Sequence, residues 1–228
     1  MKIIAHRCGT DKFPELTVDA AKYSLEAGAY LVEMDVHFTL DDVPVISHDA
    51  DCSFLFGDER KIRELTLEEF LKLEYKDGSG YGAIKLETML ENGIKNILFH
   101  IKVGGDKLNV ILNLCRKYNI EDSVVFGVGS LNDVKTVKAF NKDIKILAFM
   151  YDIENIKEYA KYGADYIRLW EHWLTDENIA AVKNSGKKLW IMSGNYETVG
   201  FPITDDIFKW EKLGADAVLV NDVVEFVK

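Results

Sequence analysis

Four short motifs in the first half of the chain bring together side chains able to work on a phosphoester: His6-Arg7, Glu33-Met34-Asp35, His48-Asp49 and His100-Ile101-Lys102. Carboxylate oxygens are hard donors suited to a divalent cation. Such an ion acts as a Lewis acid on a phosphoryl oxygen, while Arg7 and Lys102 can neutralise the remaining charge. Two histidines, His6 and His48, can then divide general-base and general-acid work between them. Side chains alternate along a strand, so Glu33 shares a face with Asp35, and His100 with Lys102. His37 points to the other face and reads as structural. Two unpaired buried carboxylates would be costly without a cation, so the pattern points to metal-assisted phosphodiester hydrolysis.

Such residues must be positioned by elements, and the chain supplies a repeating one. A polar helix-like stretch, a glycine and a short apolar run recur around Gly28, Gly93, Gly163 and Gly214. Glycine at the helix C′ position accepts the left-handed backbone that ends a helix, and the next residues drop into a buried strand. Apolar runs predict strands near 2–6, 30–36, 96–102, 123–128, 144–150, 164–170, 187–193 and 215–220, with a hairpin partner at 43–47. Amphipathic stretches predict helices at 16–27, 106–119, 131–140, 152–162, 176–185 and 204–213. Runs buried on both faces and alternating with helices indicate a parallel sheet. Eight such units within 228 residues predict an α/β fold, a closed (β/α)8 TIM barrel forming a single domain over 1–228.

The stretch 51–85 breaks the repeat. It holds a helical segment from Thr66 to Leu73 and the glycine-rich Asp77-Gly78-Ser79-Gly80-Tyr81-Gly82, and reads as a small insertion after the second strand. The glycine-rich loop follows no strand, so it reads as a connector rather than a phosphate cradle. In a barrel of this kind the C-terminal strand ends line the active site, which is where all four motifs fall. Trp170 and Trp173 flank another strand end, where they either pack the barrel or line the alcohol side of the pocket; His172 reads as a surface residue.

Composition narrows the partners. The net charge of −10, from 28 basic and 38 acidic residues, repels nucleic acid and leaves a small anionic substrate drawn in by a few focused cations. No apolar run approaches the roughly 20 residues of a membrane span, and Arg7 interrupts the N-terminus before a signal-peptide core could form. Three cysteines without a CxxC pair predict inert thiols, Cys8 and Cys52 included, in a cytoplasmic protein.

The order Ile3-Ile4-Ala5-His6-Arg7, Pro14-Glu15-Leu16-Thr17, Val32-Glu33-Met34-Asp35-Val36 and Val43-Pro44-Val45-Ile46-Ser47-His48-Asp49 resembles the glycerophosphodiester phosphodiesterase family, whose opening reads H-R-G, P-E-N-T, E-x-D and V-P-V-x-x-H-D. Leu65-Thr66-Leu67-Glu68-Glu69 resembles its D-L-T-L-x-E segment, Asn195 the end of its W-T-x-N strand, and Gly214-Ala215-Asp216 through Asn221 its last strand. The resemblance implies a TIM barrel that hydrolyses glycerophosphodiesters to an alcohol and sn-glycerol 3-phosphate. It implies His6 and His48 as the acid–base pair, Arg7 and Lys102 on phosphate, Glu15 orienting the site, and Glu33 and Asp35 on Mg²⁺ or Ca²⁺. The chain departs from the family where Cys8 replaces Gly, Leu16 replaces Asn, Met192-Ser193-Gly194-Asn195 lacks the tryptophan, and His100 replaces the third carboxylate ligand. A neutral imidazole at 100 is expected to ligate the ion or lie one water away, and favours Mn²⁺ or Zn²⁺. Two other readings are a catalytically silent barrel that binds a phosphorylated ligand and a related phosphodiesterase or phospholipase-D-like enzyme acting on another headgroup.

Overall fold

The computed structural model describes residues 1–227. Nine strands form its sheet: β1 (Lys2–Ala5), β2 (Leu31–Phe38), β3 (Pro44–Ile46), β4 (Ile97–Ile101), β5 (Val124–Val128), β6 (Lys145–Ala148), β7 (Tyr166–Trp170), β8 (Lys188–Met192) and β9 (Ala215–Val220). Their order is β1-β9-β8-β7-β6-β5-β4-β2, and β1 pairs again with β2, so eight parallel strands close on themselves. β3 lies outside the ring as the antiparallel hairpin partner of β2, with Val36 opposite Ile46. Closure leaves β3 to cover the point at which β2 runs beyond the barrel, and that hairpin delivers His48.

The helices are α1 (Val18–Ala27), α2 (Ser53–Phe56), α3 (Leu67–Phe70), α4 (Leu86–Glu91), α5 (Leu108–Lys117), α6 (Leu131–Phe140), α7 (Ile156–Tyr162), α8 (Asp176–Asn184) and α9 (Lys209–Lys212). Thr17, Ser130 and Thr175 begin α1, α6 and α8 by accepting the N–H of Ala20, Asp133 and Asn178, each cap worth about 1 kcal/mol. Gly28 and Gly163 end α1 and α7 at φ 114° and 108°, as the repeat predicts. Among the described residues no helix is long and apolar enough to cross a membrane.

Two apolar layers follow from the alternation along each strand. Outward-facing Ile3, Val32, Met34, Phe99, Phe126 and Val218 pack beneath the helices. Inward-facing Ile4, Leu31, Leu98, Val125, Leu147, Trp190 and Ala217 fill the lumen as a separate cluster. Tyr166 stacks on Trp190 at 4.3 Å between ring centres and extends that plug. The lumen is therefore solid below, and the next inward positions along the strands are those that form a cavity.

Two sequence expectations need correction, and one helix went unforeseen. The helix expected over 204–213 is a single turn, Lys209–Lys212, because the Glu171 carboxylate takes the backbone N–H groups of Ile203 and Thr204 and the Thr204 hydroxyl. The helix expected from Thr66 to Leu73 is shortened to Leu67–Phe70, with a capping box between Thr66 and Glu69. A helix not foreseen, Leu86–Glu91, follows the 51–85 segment, its Leu86, Met89 and Leu90 buried. In the glycine-rich loop residues 77–80 are exposed, while Gly82 pairs with Glu74 in an isolated bridge.

Candidate active site

Register explains the site before any side chain is inspected. In the β2–β4 pairing Asp35 sits opposite His100, and in the β4–β5 pairing His100 sits opposite Gly127. Parallel neighbours in register point the same way, so Asp35 and His100 meet inside the lumen. His100 Nδ1 lies 2.8 Å from Asp35 Oδ1 and 3.6 Å from Glu33 Oε1, while Lys102 Nζ lies 3.0 Å from Asp35 Oδ1. Burial pushes the Asp35 carboxyl up, but the Lys102 ammonium and His100 outweigh it and hold the acid well below its usual range. Glu33 and Asp35 are both fully buried. Yet Glu33 Oε1 and Asp35 Oδ2 accept no hydrogen bond among the described residues. Ligand atoms from Glu33, Asp35 and His100 lie within 4.8 Å of one another, so this trio could hold a metal ion. Buried oxygens with unused lone pairs are the chemical signature a hard cation would satisfy.

His6 leaves β1 in a short 3₁₀ turn, His6–Cys8, instead of extending the strand. Arg7 (φ 49°) and Cys8 (φ 68°) are left-handed there, as is Leu16 (φ 59°) beyond the turn. Non-glycine residues in that region carry strain of order 1–3 kcal/mol each. The turn is pinned by the Arg7 N–H donating to Glu33 Oε2 at 2.8 Å, and by the Leu16 N–H donating to the Arg7 carbonyl at 2.8 Å. Cys8 and Leu16 are two of the positions at which this chain departs from the resembled motif. The Gly and Asn of that motif are the residue types that tolerate positive φ best.

The His6 ring is held from behind. Its Nδ1 lies 2.7 Å from Asn221 Oδ1, and Asn221 Nδ2 donates to the Val199 carbonyl at 3.0 Å. That second bond turns the amide oxygen toward His6, which assigns the proton to Nδ1 and leaves the Nε2 lone pair on the cavity side, 4.0 Å from Glu33. Burial lowers the His6 pKa below 6.5, so the ring is neutral at neutral pH. His48 Nδ1 contacts Asp49 Oδ1 at 2.8 Å, and the His48 carbonyl lies 3.1 Å from His37 Nε2. His37 thus supports the hairpin main chain, the structural part expected of it.

A cavity of about 260 Å³ opens over these groups. His6, Glu33, His48, His100 and Lys102 line it, and Asp35 lies beneath, reached through His100 and Lys102. Arg7 and Glu15 are placed behind the lining, where Arg7 Nη1 donates to both Glu15 oxygens at 3.1 Å. The far wall is aromatic and includes Phe149, Tyr151, Trp170, Trp173 and Tyr196. His172 stays exposed outside it. Asn195 closes a turn by accepting the N–H groups of Glu197 and Thr198. Cys8, Cys52 and Cys115 are buried and free, and burial raises all three thiols, Cys52 to about 11. Two lining features escaped the sequence reading. Phe149 stacks on His100 at 4.1 Å, in space that exists because residue 127 has no side chain. Arg168, also in the wall, was detectable as a charge at an inward position of the apolar run Tyr166–Trp170.

A model of the glycerophosphoryl diester phosphodiesterase family matches residues 6–199, a span that holds His6-Arg7, Glu33-Met34-Asp35, His48-Asp49 and His100-Ile101-Lys102. The chain belongs to that family. It is 24% identical over 239 residues to a glycerophosphodiester phosphodiesterase of Caldanaerobacter subterraneus subsp. tengcongensis, covering 96% of this chain and 93% of the relative. The fold matches the glycerophosphodiester phosphodiesterase of Thermotoga maritima with a TM-score of 0.76 at 23% identity, over 99% of this chain and 96% of that one. An Oleispira antarctica phosphodiesterase, solved in complex with its product sn-glycerol-3-phosphate, matches with a TM-score of 0.81 at 17% identity, over 99% and 94% of the two chains. The sequence motifs of this family member and its closed eight-stranded barrel therefore agree on a phosphodiester hydrolase.

Proposed function

We propose that the chain hydrolyses glycerophosphodiesters to an alcohol and sn-glycerol 3-phosphate, with a divalent cation held by Glu33, Asp35 and His100 and with His6 and His48 moving the protons. The observation that carries this reading is the pair of buried carboxylates with unused oxygens under a cavity lined by both histidines. When bound, the ion supplies Lewis acidity to a phosphoryl oxygen. Mg²⁺ or Ca²⁺ suits the two carboxylates, and the imidazole of His100 moves the preference toward Mn²⁺ or Zn²⁺.

His6 acts as the base. Its Nε2 lone pair takes the proton of the attacking hydroxyl as a new P–O bond forms, either from water directly or from the substrate's own glycerol, in which case water opens the resulting cyclic phosphodiester in a second step. His48, its Nδ1 held by Asp49, donates a proton from Nε2 to the oxygen of the leaving alcohol as the old P–O bond breaks. Lys102 binds a phosphoryl oxygen from the lining. Arg7, clamped by Glu15, adds positive charge behind it. Water supplies the atoms gained by the two products, so the reaction balances without a redox partner. The Oleispira relative was solved with sn-glycerol-3-phosphate as its product, the same product proposed here.

The test is release of sn-glycerol 3-phosphate from a panel of glycerophosphodiesters. A positioned acid or base is typically worth about 10²–10⁴ in rate. His6→Ala and His48→Ala should each lose kcat on that order while circular dichroism stays native. Wild-type rates in both variants would overturn the assignment, and binding of phosphodiesters without release would support a silent barrel instead.

A further inference from the structure

Arg168 projects from β7 into the lumen and forms part of the cavity wall. It is only 4% exposed. Among the described residues its side chain makes one hydrogen bond, from Nη2 to the Met150 carbonyl at 3.2 Å. Nε and Nη1 have no acceptor, and no carboxylate pairs with the guanidinium among the described residues. An uncompensated buried cation is expensive, and here the expense is borne beside a cavity that must admit a substrate.

The other cations of the site are already matched. Lys102 faces Asp35, and Arg7 faces Glu15. Glu33, Asp35, a divalent ion and Lys102 together leave one net positive charge, which suits one phosphodiester. Arg168 is therefore surplus to the charge of the phosphoryl group, and its own neighbours are aromatic. The Phe149 ring stacks on His100, and the Arg168 guanidinium lies 5.0 Å from the same ring centre. Arg168 also lies 4.7 Å from the centre of Trp170 and 5.8 Å from that of Trp173. The aromatic wall already holds a cation, so a quaternary ammonium entering there would meet like charge rather than empty π faces.

Resting on the phosphodiesterase reading above, we infer that Arg168 is a specificity residue that receives a second anionic group, a carboxylate or a phosphate, carried by the leaving alcohol. The preferred substrates are then glycerophosphodiesters with anionic headgroups, and glycerophosphocholine and glycerophosphoethanolamine are poor ones. A site whose buried donors stay unpaired with the wrong substrate discriminates strongly, because the unpaired group is penalised.

The experiment compares kcat/KM for glycerophosphoserine, a diester whose leaving alcohol is glycerol phosphate, glycerophosphoglycerol and glycerophosphocholine. Wild type should favour the two substrates whose leaving alcohol carries a carboxylate or a phosphate over choline by at least about tenfold, as one charge-assisted contact implies. The first two substrates separate carboxylate from phosphate as the recognised anion. In Arg168→Gln the ratio of anionic to neutral substrate should collapse toward one, and Arg168→Lys should restore part of it. The same panel is titrated in excess chelator, read by quenching of the tryptophan fluorescence, to which Trp170 and Trp173 of the cavity wall contribute alongside Trp190 and Trp210. Selective binding there, with no hydrolysis of any substrate even when divalent ion is restored, would remove the proposed reaction and leave the role of Arg168 standing. Hydrolysis with no headgroup preference would overturn the inference about Arg168 alone. So would an equal loss on all four substrates in a folded Arg168→Gln protein, which would put the guanidinium on the transferred phosphoryl group.

Discussion

At the scale of single residues, the state of each proton is decided by what stands behind the histidine. Asn221 faces His6 with its oxygen because Val199 engages its nitrogen, and this makes Nε2 the basic atom. Asn221→Leu should lower kcat by tenfold or more, since the buried Nδ1–H would lose its acceptor at a cost of about 1–3 kcal/mol. Asn221→Asp, which keeps an acceptor, should recover part of the rate; equal rates in all three proteins would remove the positioning role. Burial also lowers the pKa of both His6 and His48 below 6.5. The base therefore stays neutral in mildly acid solution, while the acid loses its proton as pH rises through the same region. The kcat/KM profile should peak below about pH 6.5 and fall on the alkaline side. A flat profile up to pH 8 would contradict His48 as the proton donor.

At the scale of elements, the barrel register does the assembling. Gly127 lies opposite His100, and a Cβ there would collide with the Phe149 ring and come within 3.0 Å of the Phe99 carbonyl oxygen. Gly127→Ala should thus cost about 1–3 kcal/mol, read as a lower Tm, and should displace Phe149 from His100. An unchanged melting curve would show that the strand can shift at no cost. Strand alternation made much of this site legible in advance, because a period of two fixes which of Glu33, Met34 and Asp35 share a face. The same logic placed His37 on the other side. It could not find Asn221, whose partner is 215 positions away in the chain. Nor could apolar periodicity foresee that 204–208 is not helical. There one buried carboxylate, Glu171, binds the backbone from the end of β7 and also takes the Gly194 N–H at 2.7 Å. A tertiary contact of that kind overrides local preference and leaves no local trace.

At the scale of the whole molecule, a chain of net charge −10 handles an anionic substrate by concentrating Arg7, Lys102 and Arg168 about one end of the barrel. Burying histidines as neutral rings also ties folding to pH. His6 and His37 both have pKa values lowered by burial, so below about pH 6.5 the unfolded chain takes up protons that the native one refuses. Stability should fall as pH drops from 7 toward 5, by up to about 1.4 kcal/mol per pH unit for each such histidine. Denaturant midpoints across that range check the sign, and stability rising on acidification would contradict it. The most direct measurement of the central claim, that buried Glu33 and Asp35 serve a cation needed for turnover, is a divalent-ion titration of chelator-treated protein. It follows sn-glycerol 3-phosphate release and heat of binding together. The expected result is no release without an ion, recovery on saturation of one site, and neither binding nor recovery in Asp35→Ala. Full release of sn-glycerol 3-phosphate in excess chelator would contradict the claim.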